Sequence, residues 1–106
     1  MHKGDIVLLP FPFTNLKGTK TRPALILIAS DLDITVAFIT TQLYFAEPTD
    51  IILFPKKENG LKKESLLRLN KIATIEKSIV LGKLGMVGKT IIPEINKNLR
   101  ILFDIK

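Results

Sequence analysis

Most apolar residues of this 106-residue chain fall in short runs, each interrupted by proline, glycine, asparagine or aspartate before a long helix can build. Asp5–Leu9 (DIVLL) meets Pro10 and Pro12, which cannot donate to a β ladder and are expected to end a strand there. Ala24–Ala29 is continuously apolar, the pattern of a strand buried on both faces. SDLD then supplies a turn, Thr35–Thr41 reads as a third strand, and Ile51–Phe54 as a fourth. The charged stretch PKKENGLKKE leads into Ser65–Ile75, an alternating segment with a bulge expected around Lys71 to Ala73. Between the first two strands, FPFTNLKGTKT reads as a loop.

Helical periodicity comes late. Ile75–Leu81 suits one short helical turn ending at Gly82. Ile91, Ile92, Ile95, Leu99 and Leu102 recur at helical spacing, with Pro93 placed as a first-turn proline, so the spacing predicts a C-terminal amphipathic helix. Several short strands with tight turns and one packed helix make a mainly β single domain spanning 1–106, a bent sheet or partly open barrel of about five to seven strands.

Composition narrows the chemistry. The chain has no cysteine and one histidine, His2, which removes disulfides, thiolate nucleophiles, Cys-ligated zinc and a Ser-His-Asp relay. The first ten residues, MHKGDIVLLP, hold too short an apolar run and too early an aspartate for a secretory leader. No apolar stretch approaches the ~18 residues that span a bilayer, and a cytoplasmic location is expected. The net charge of +6 suits an anionic partner, nucleic acid or an acidic protein segment; a lysine-rich solvated surface would have the same charge.

Three stretches stand out. In KTRPALILI, Arg22 precedes Pro23, which stiffens the chain and biases Arg22 toward extended geometry. An arginine there either covers apolar surface with its stem or aims a guanidinium. In VAFITTQ, Val36, Phe38, Thr40 and Gln42 share a face; the polar end is either the strand leaving its core or part of a site. In SLLRLNKI, Arg68 and Asn70 share a face, and Arg68 interrupts a set of leucines, so it reaches solvent or a partner.

Taken together these segments resemble one family. GDIVLLPFPFTNLKGTKTRPALIL, then a strand ending ITTQ, then SLLRLNKIATIEKS and LGKLG, are similar in order and spacing to PemK/MazF toxins of toxin–antitoxin pairs. The resemblance implies an SH3-like barrel with a C-terminal helix, a homodimer, and an mRNA interferase that cuts single-stranded RNA with no metal or other cofactor. It implies a cognate antitoxin whose segment covers the groove. By the motif, Arg22 matches the principal catalytic arginine, Thr40 the active-site threonine, and Arg68 a second arginine of some members. Phe11, Phe13 and Thr14, in the loop that borders the RNA groove in relatives, are either RNA contacts or loop packing; Lys17, Lys20, Gln42 and Asn70 are further RNA-binding candidates. Two departures matter. Asn70 stands where relatives often carry aspartate, and asparagine cannot act as a general base. Lys17 to Thr21 occupy a region where some relatives carry histidine.

Two alternatives differ in class. A weak or inactive member of the family would bind only RNA or antitoxin, as Asn70 suggests. A CcdB-like toxin shares the fold but poisons DNA gyrase, typically through a C-terminal tryptophan; this chain has no tryptophan and ends LFDIK.

Overall fold

The computed structural model describes residues 1–11 and 20–106. Six strands form one antiparallel sheet: β1 (Asp5–Phe11), β2 (Lys20–Ala29), β3 (Asp33–Thr40), β4 (Ile51–Leu53), β5 (Ser65–Glu76) and β6 (Gly82–Met86), followed by helix α1 (Ile91–Leu102). Their spatial order is β4-β5-β3-β2-β1-β6. The sheet curls into a half-barrel because each face covers apolar residues. On one face Ile6, Leu25, Ala37, Ile39, Leu67 and Leu69 pack with Ile95 of α1, and Ile91, Ile92, Leu99 and Leu102 close over them. On the other, Val7, Leu9, Ala24, Ile26, Ile34, Val36 and Ile75 pack together, flanked by Phe38, Ala73, Ile79 and Val80. Burial on both sides is why β1 and β2 read as unbroken apolar runs.

Register shifts bend the strands. Leu27 is the extra residue in the β2–β3 ladder and Leu84 in the β1–β6 ladder. In the β3–β5 ladder, Phe38 faces Arg68 while the next residue back, Ala37, faces Ile72. Leu69, Asn70 and Lys71 therefore bulge from β5, slightly before the expected position.

Several strand limits differ from expectation. β1 runs through Pro10 to Phe11, opposite Thr21 and Lys20. It pairs with β6 only as far as Leu8, so Pro10 lies where β1 is an edge and a missing N–H costs little. β2 begins at Lys20, so Arg22 and Pro23 lie within the strand instead of before it. β6 has two glycines in five residues and carries no strand pattern in the sequence. The 56–60 turn explains one of them: a Cβ on Gly85 would stand 2.2 Å from the Glu58 carbonyl oxygen. Short 3₁₀ turns occupy Lys77–Ile79, inside the expected helical turn, and Leu43–Phe45, which carries no periodic signal. Pro93 is the third residue of α1, where its missing N–H is still one that needs no partner. Among the described residues, no helix is long and apolar enough to cross a membrane.

Candidate active site

Three neighbouring strands bring the singled-out residues to one face. Ala24 and Ile26 of β2 point into the second apolar cluster, so Arg22, two residues earlier, shares their side. Val36 and Phe38 of β3 point the same way, and Thr40 follows by the same period. Phe38 faces Arg68 of β5, which sets that arginine beside them. The polar residues lie at the end of the face where the apolar cluster stops.

Two cavities meet at Thr40 and Gln42. One, of about 250 Å³, is lined by Arg22, Pro23, Ile39, Thr40, Thr41, Gln42 and Ser65. The other, of about 460 Å³, is lined by Phe11, Phe38, Thr40, Gln42, Arg68, Asn70, Lys71 and Ile72. Phe11 and Phe38 meet edge to face, ring centres 6.1 Å apart, and Phe11 stays 46% exposed. A larger cavity, about 670 Å³, lies at the opposite edge against the N-terminal residues, β6 and Ile92, and includes none of these groups. Size does not decide here; the convergence of donors does.

The two arginines sit in different electrostatic settings. Arg22 is exposed, and among the described residues no carboxylate pairs with it. Its fork is open to an anion from solvent, and a guanidinium matches phosphate oxygens two at a time. Beside it, Thr40 Oγ1 accepts the Gln42 backbone N–H at 3.1 Å, so the hydroxyl proton can be donated elsewhere.

Arg68 is held. Its side chain is 15% exposed; Nη2 is 3.3 Å from Glu47 Oε1, and Nε is 3.6 Å from Oδ2 of Asp50, which is almost wholly buried. Asn70 Nδ2 donates to the other Glu47 oxygen, Oε2, at 3.0 Å. The carboxylates come from a turn between β3 and β4. There the Glu47 N–H donates to Asp50 Oδ2 and the Asp50 N–H to the Glu47 carbonyl, both at 2.9 Å. Asn98 of α1 donates to the Thr49 carbonyl at 3.1 Å and ties this turn to the helix.

Of the RNA-binding candidates, Gln42 and Asn70 line the cavities. Lys20 is exposed, opposite Phe11 in the β1–β2 ladder. Phe13, Thr14 and Lys17 lie outside the described residues. Sequence reasoning passed over Glu47, Asp50 and Lys71. The clue available was that Glu47 and Asp50 are the only acids between residues 34 and 57, close before a strand.

Comparison with known proteins supplies the wider frame. Among curated protein sequences none matches the chain. Among solved structures, the Mycobacterium tuberculosis toxin MazF-mt6 is similar, with a TM-score of 0.77, 22% identity, and coverage of 96% of this chain and 98% of that one. A mycobacterial endoribonuclease in complex with its cognate antitoxin gives 0.76 at 18% identity, covering 100% and 97%. A further mycobacterial endoribonuclease gives 0.75 at 17% identity, covering 98% and 91%. These likenesses establish the fold. A family model matches residues 2–103, and the chain therefore belongs to the PemK-like, MazF-like toxins of type II toxin–antitoxin systems.

Proposed function

We propose that this toxin is an endoribonuclease that cuts single-stranded messenger RNA at selected sequences, using the RNA's own 2′-hydroxyl as nucleophile. The observation that carries the reading is the Arg22 guanidinium, without a carboxylate partner among the described residues, in one small cavity with Thr40. Membership of the toxin family and the likeness to structures described as endoribonucleases support it.

RNA carries its nucleophile next to the scissile phosphate, and DNA does not. The protein must orient that hydroxyl and stabilise the charge that gathers on phosphorus. Arg22 binds two non-bridging phosphate oxygens and meets the growing charge. Thr40 donates to a phosphate oxygen or aligns the 2′-hydroxyl. Positioned donors of this kind contribute about 2.7–4 kcal/mol each to the transition state. No step needs a metal ion, so cleavage proceeds in a chelator. Arg68 adds positive charge to the second cavity, partly offset by Glu47 and Asp50; most of the electrostatic stabilisation therefore falls to Arg22. Phe11, half exposed at the cavity edge, offers a stacking surface for a base. Lys20 and Lys71 add phosphate attraction.

A cognate antitoxin holds the toxin inactive by laying a segment over this groove; a similar mycobacterial endoribonuclease is described in complex with its cognate antitoxin, which supports such a partner. A net charge of +6 favours an acidic segment in that role. The toxin acts in the cytoplasm as a homodimer. Leu81, Leu84 and Met86 leave apolar surface exposed along the edge strand β6, available to a second copy.

The test is incubation of the purified chain, in EDTA, with a long single-stranded RNA and with DNA of the same sequence. Discrete RNA fragments and intact DNA are expected. Intact RNA at enzyme excess would overturn the nuclease reading and leave a binder of RNA or antitoxin.

A further inference from the structure

Attack by a 2′-hydroxyl requires a group that takes its proton, and neither Arg22 nor Thr40 is suited to that. Arginine stays protonated, and a threonine hydroxyl is a poor base. The choice of acceptor can be made from burial and contacts. His2 lies in the cavity at the opposite edge of the sheet. Asp5 is buried, with Lys83 Nζ 3.4 Å away. Asp31, Asp33 and Glu76 gather around a separate cavity with Leu32, Lys77 and Ser78. Asp50 is 1% exposed and cannot reach a substrate. Residues 12–19 contain no acid and no histidine.

Glu47 remains. Its side chain is half exposed, and both its side-chain partners line the larger site cavity. We infer that Glu47 is the general base of the cleavage, an inference that rests on the nuclease reading above. Arg68 donates to Oε1 and Asn70 to Oε2. A carboxylate has about four lone-pair sites, so each oxygen keeps one for the incoming hydroxyl. Its backbone is fixed as well, through the N–H that donates to Asp50. Asn70 thus acquires a defined role, because it aims the carboxylate without competing for the proton.

The step balances simply. Glu47 takes the proton from the 2′-hydroxyl, and O2′ forms a bond to phosphorus. The P–O5′ bond breaks, its electron pair leaving on O5′, which gains a proton from water. The products are a 2′,3′-cyclic phosphate and a 5′-hydroxyl. Among the described residues, the charged groups facing Glu47 are Arg68 from β5 and Asp50 from its own turn. Lys71 lines the adjoining cavity, and Arg22 the one beyond it.

The experiment is single-turnover cleavage of RNA against pH by the full chain, by Glu47→Gln and by Glu47→Asp. Affinity for an uncleavable 2′-O-methyl RNA and urea unfolding are measured alongside. A base must be deprotonated to act, so the wild-type rate should fall on the acid side. Glu47→Gln keeps the shape and the Asn70 hydrogen bond. It should lose about 10²–10⁴-fold in rate, lose that acid limb and keep affinity, with the urea midpoint lowered slightly because Arg68 keeps only Asp50 as a counter-charge. Glu47→Asp should keep the limb at a reduced rate. Glu47→Gln cutting at the wild-type rate, or cutting slowly with the acid limb unchanged, overturns the inference alone. A wild-type chain that leaves RNA intact overturns the nuclease reading and this inference with it.

Discussion

Removing the Asp50 carboxylate should cost stability, and part of that cost should run through Arg68. Asp50 has a side chain 1% exposed, and Arg68 one 15% exposed. Asp50→Ala deletes the acceptor of the Glu47 N–H and one of the two carboxylates beside the guanidinium. Breaking a fully buried pair from one side costs about 3–5 kcal/mol, because a charge is left without a partner. Here Glu47 still faces Arg68, and the Nε–Oδ2 separation of 3.6 Å exceeds a short hydrogen bond. The expected loss is therefore about 2–3 kcal/mol. Arg68→Ala has its own cost, and the double variant should lose less than the sum, with a coupling of about 1–2 kcal/mol. Urea unfolding followed by circular dichroism at one protein concentration reads all four corners, with m held constant. Losses that add to within about 0.5 kcal/mol would refute the reasoning; the charged turn would then be a surface feature that happens to lie near β5.

Three further outcomes follow from other parts of the fold. Gly85→Ala drives a Cβ to 2.2 Å from the Glu58 carbonyl oxygen and 2.7 Å from the Asn59 carbonyl carbon; backbone must move, and thermal unfolding should show a loss of about 1–3 kcal/mol. Thr40→Val removes a hydroxyl at nearly constant shape and should slow cleavage about 10–100-fold with at most about 1.5 kcal/mol of lost stability, while Thr40→Ser should retain most of the rate. Arg22→Ala should lower the salt dependence of binding to uncleavable RNA by about one phosphate contact, a change of about 0.7 in log–log slope for a single strand. Titrations at several salt concentrations measure it.

Several of these features were legible in the residues and others were not. The continuous run of β2 announced a strand with two buried faces, and both faces are covered. The period of two was enough to put Thr40 with Phe38 and Val36, and Asn70 with Arg68. Prolines misled at Pro10 and Pro23, because a missing N–H breaks a strand only where a second neighbour needs it. Two glycines hide β6 in the sequence; one of them, Gly85, serves the close approach of the 56–60 turn, a tertiary fact. Glu47 and Asp50 were hidden for a related reason. Glu47 meets Arg68 across 21 positions of sequence, and AEPTD reads as an ordinary loop until the 43–50 segment is folded back onto β5. Arg68 was recognised as a residue needing either solvent or a partner; the partners came from a stretch that carried no motif.

The central claim is that Arg22, beside Thr40, is the group that meets the scissile phosphate. Its most direct test is the single-turnover rate on one RNA that the wild-type chain cuts, compared with Arg22→Ala and Arg22→Lys. Arg22 is exposed and unpaired among the described residues, so both variants should unfold at the wild-type urea midpoint. Arg22→Ala should fall by about 10²–10³-fold, Arg22→Lys should recover only part of that because a point charge does not grip two oxygens, and the wild-type product should carry a 2′,3′-cyclic phosphate. Cleavage by Arg22→Ala at close to the wild-type rate would contradict the account.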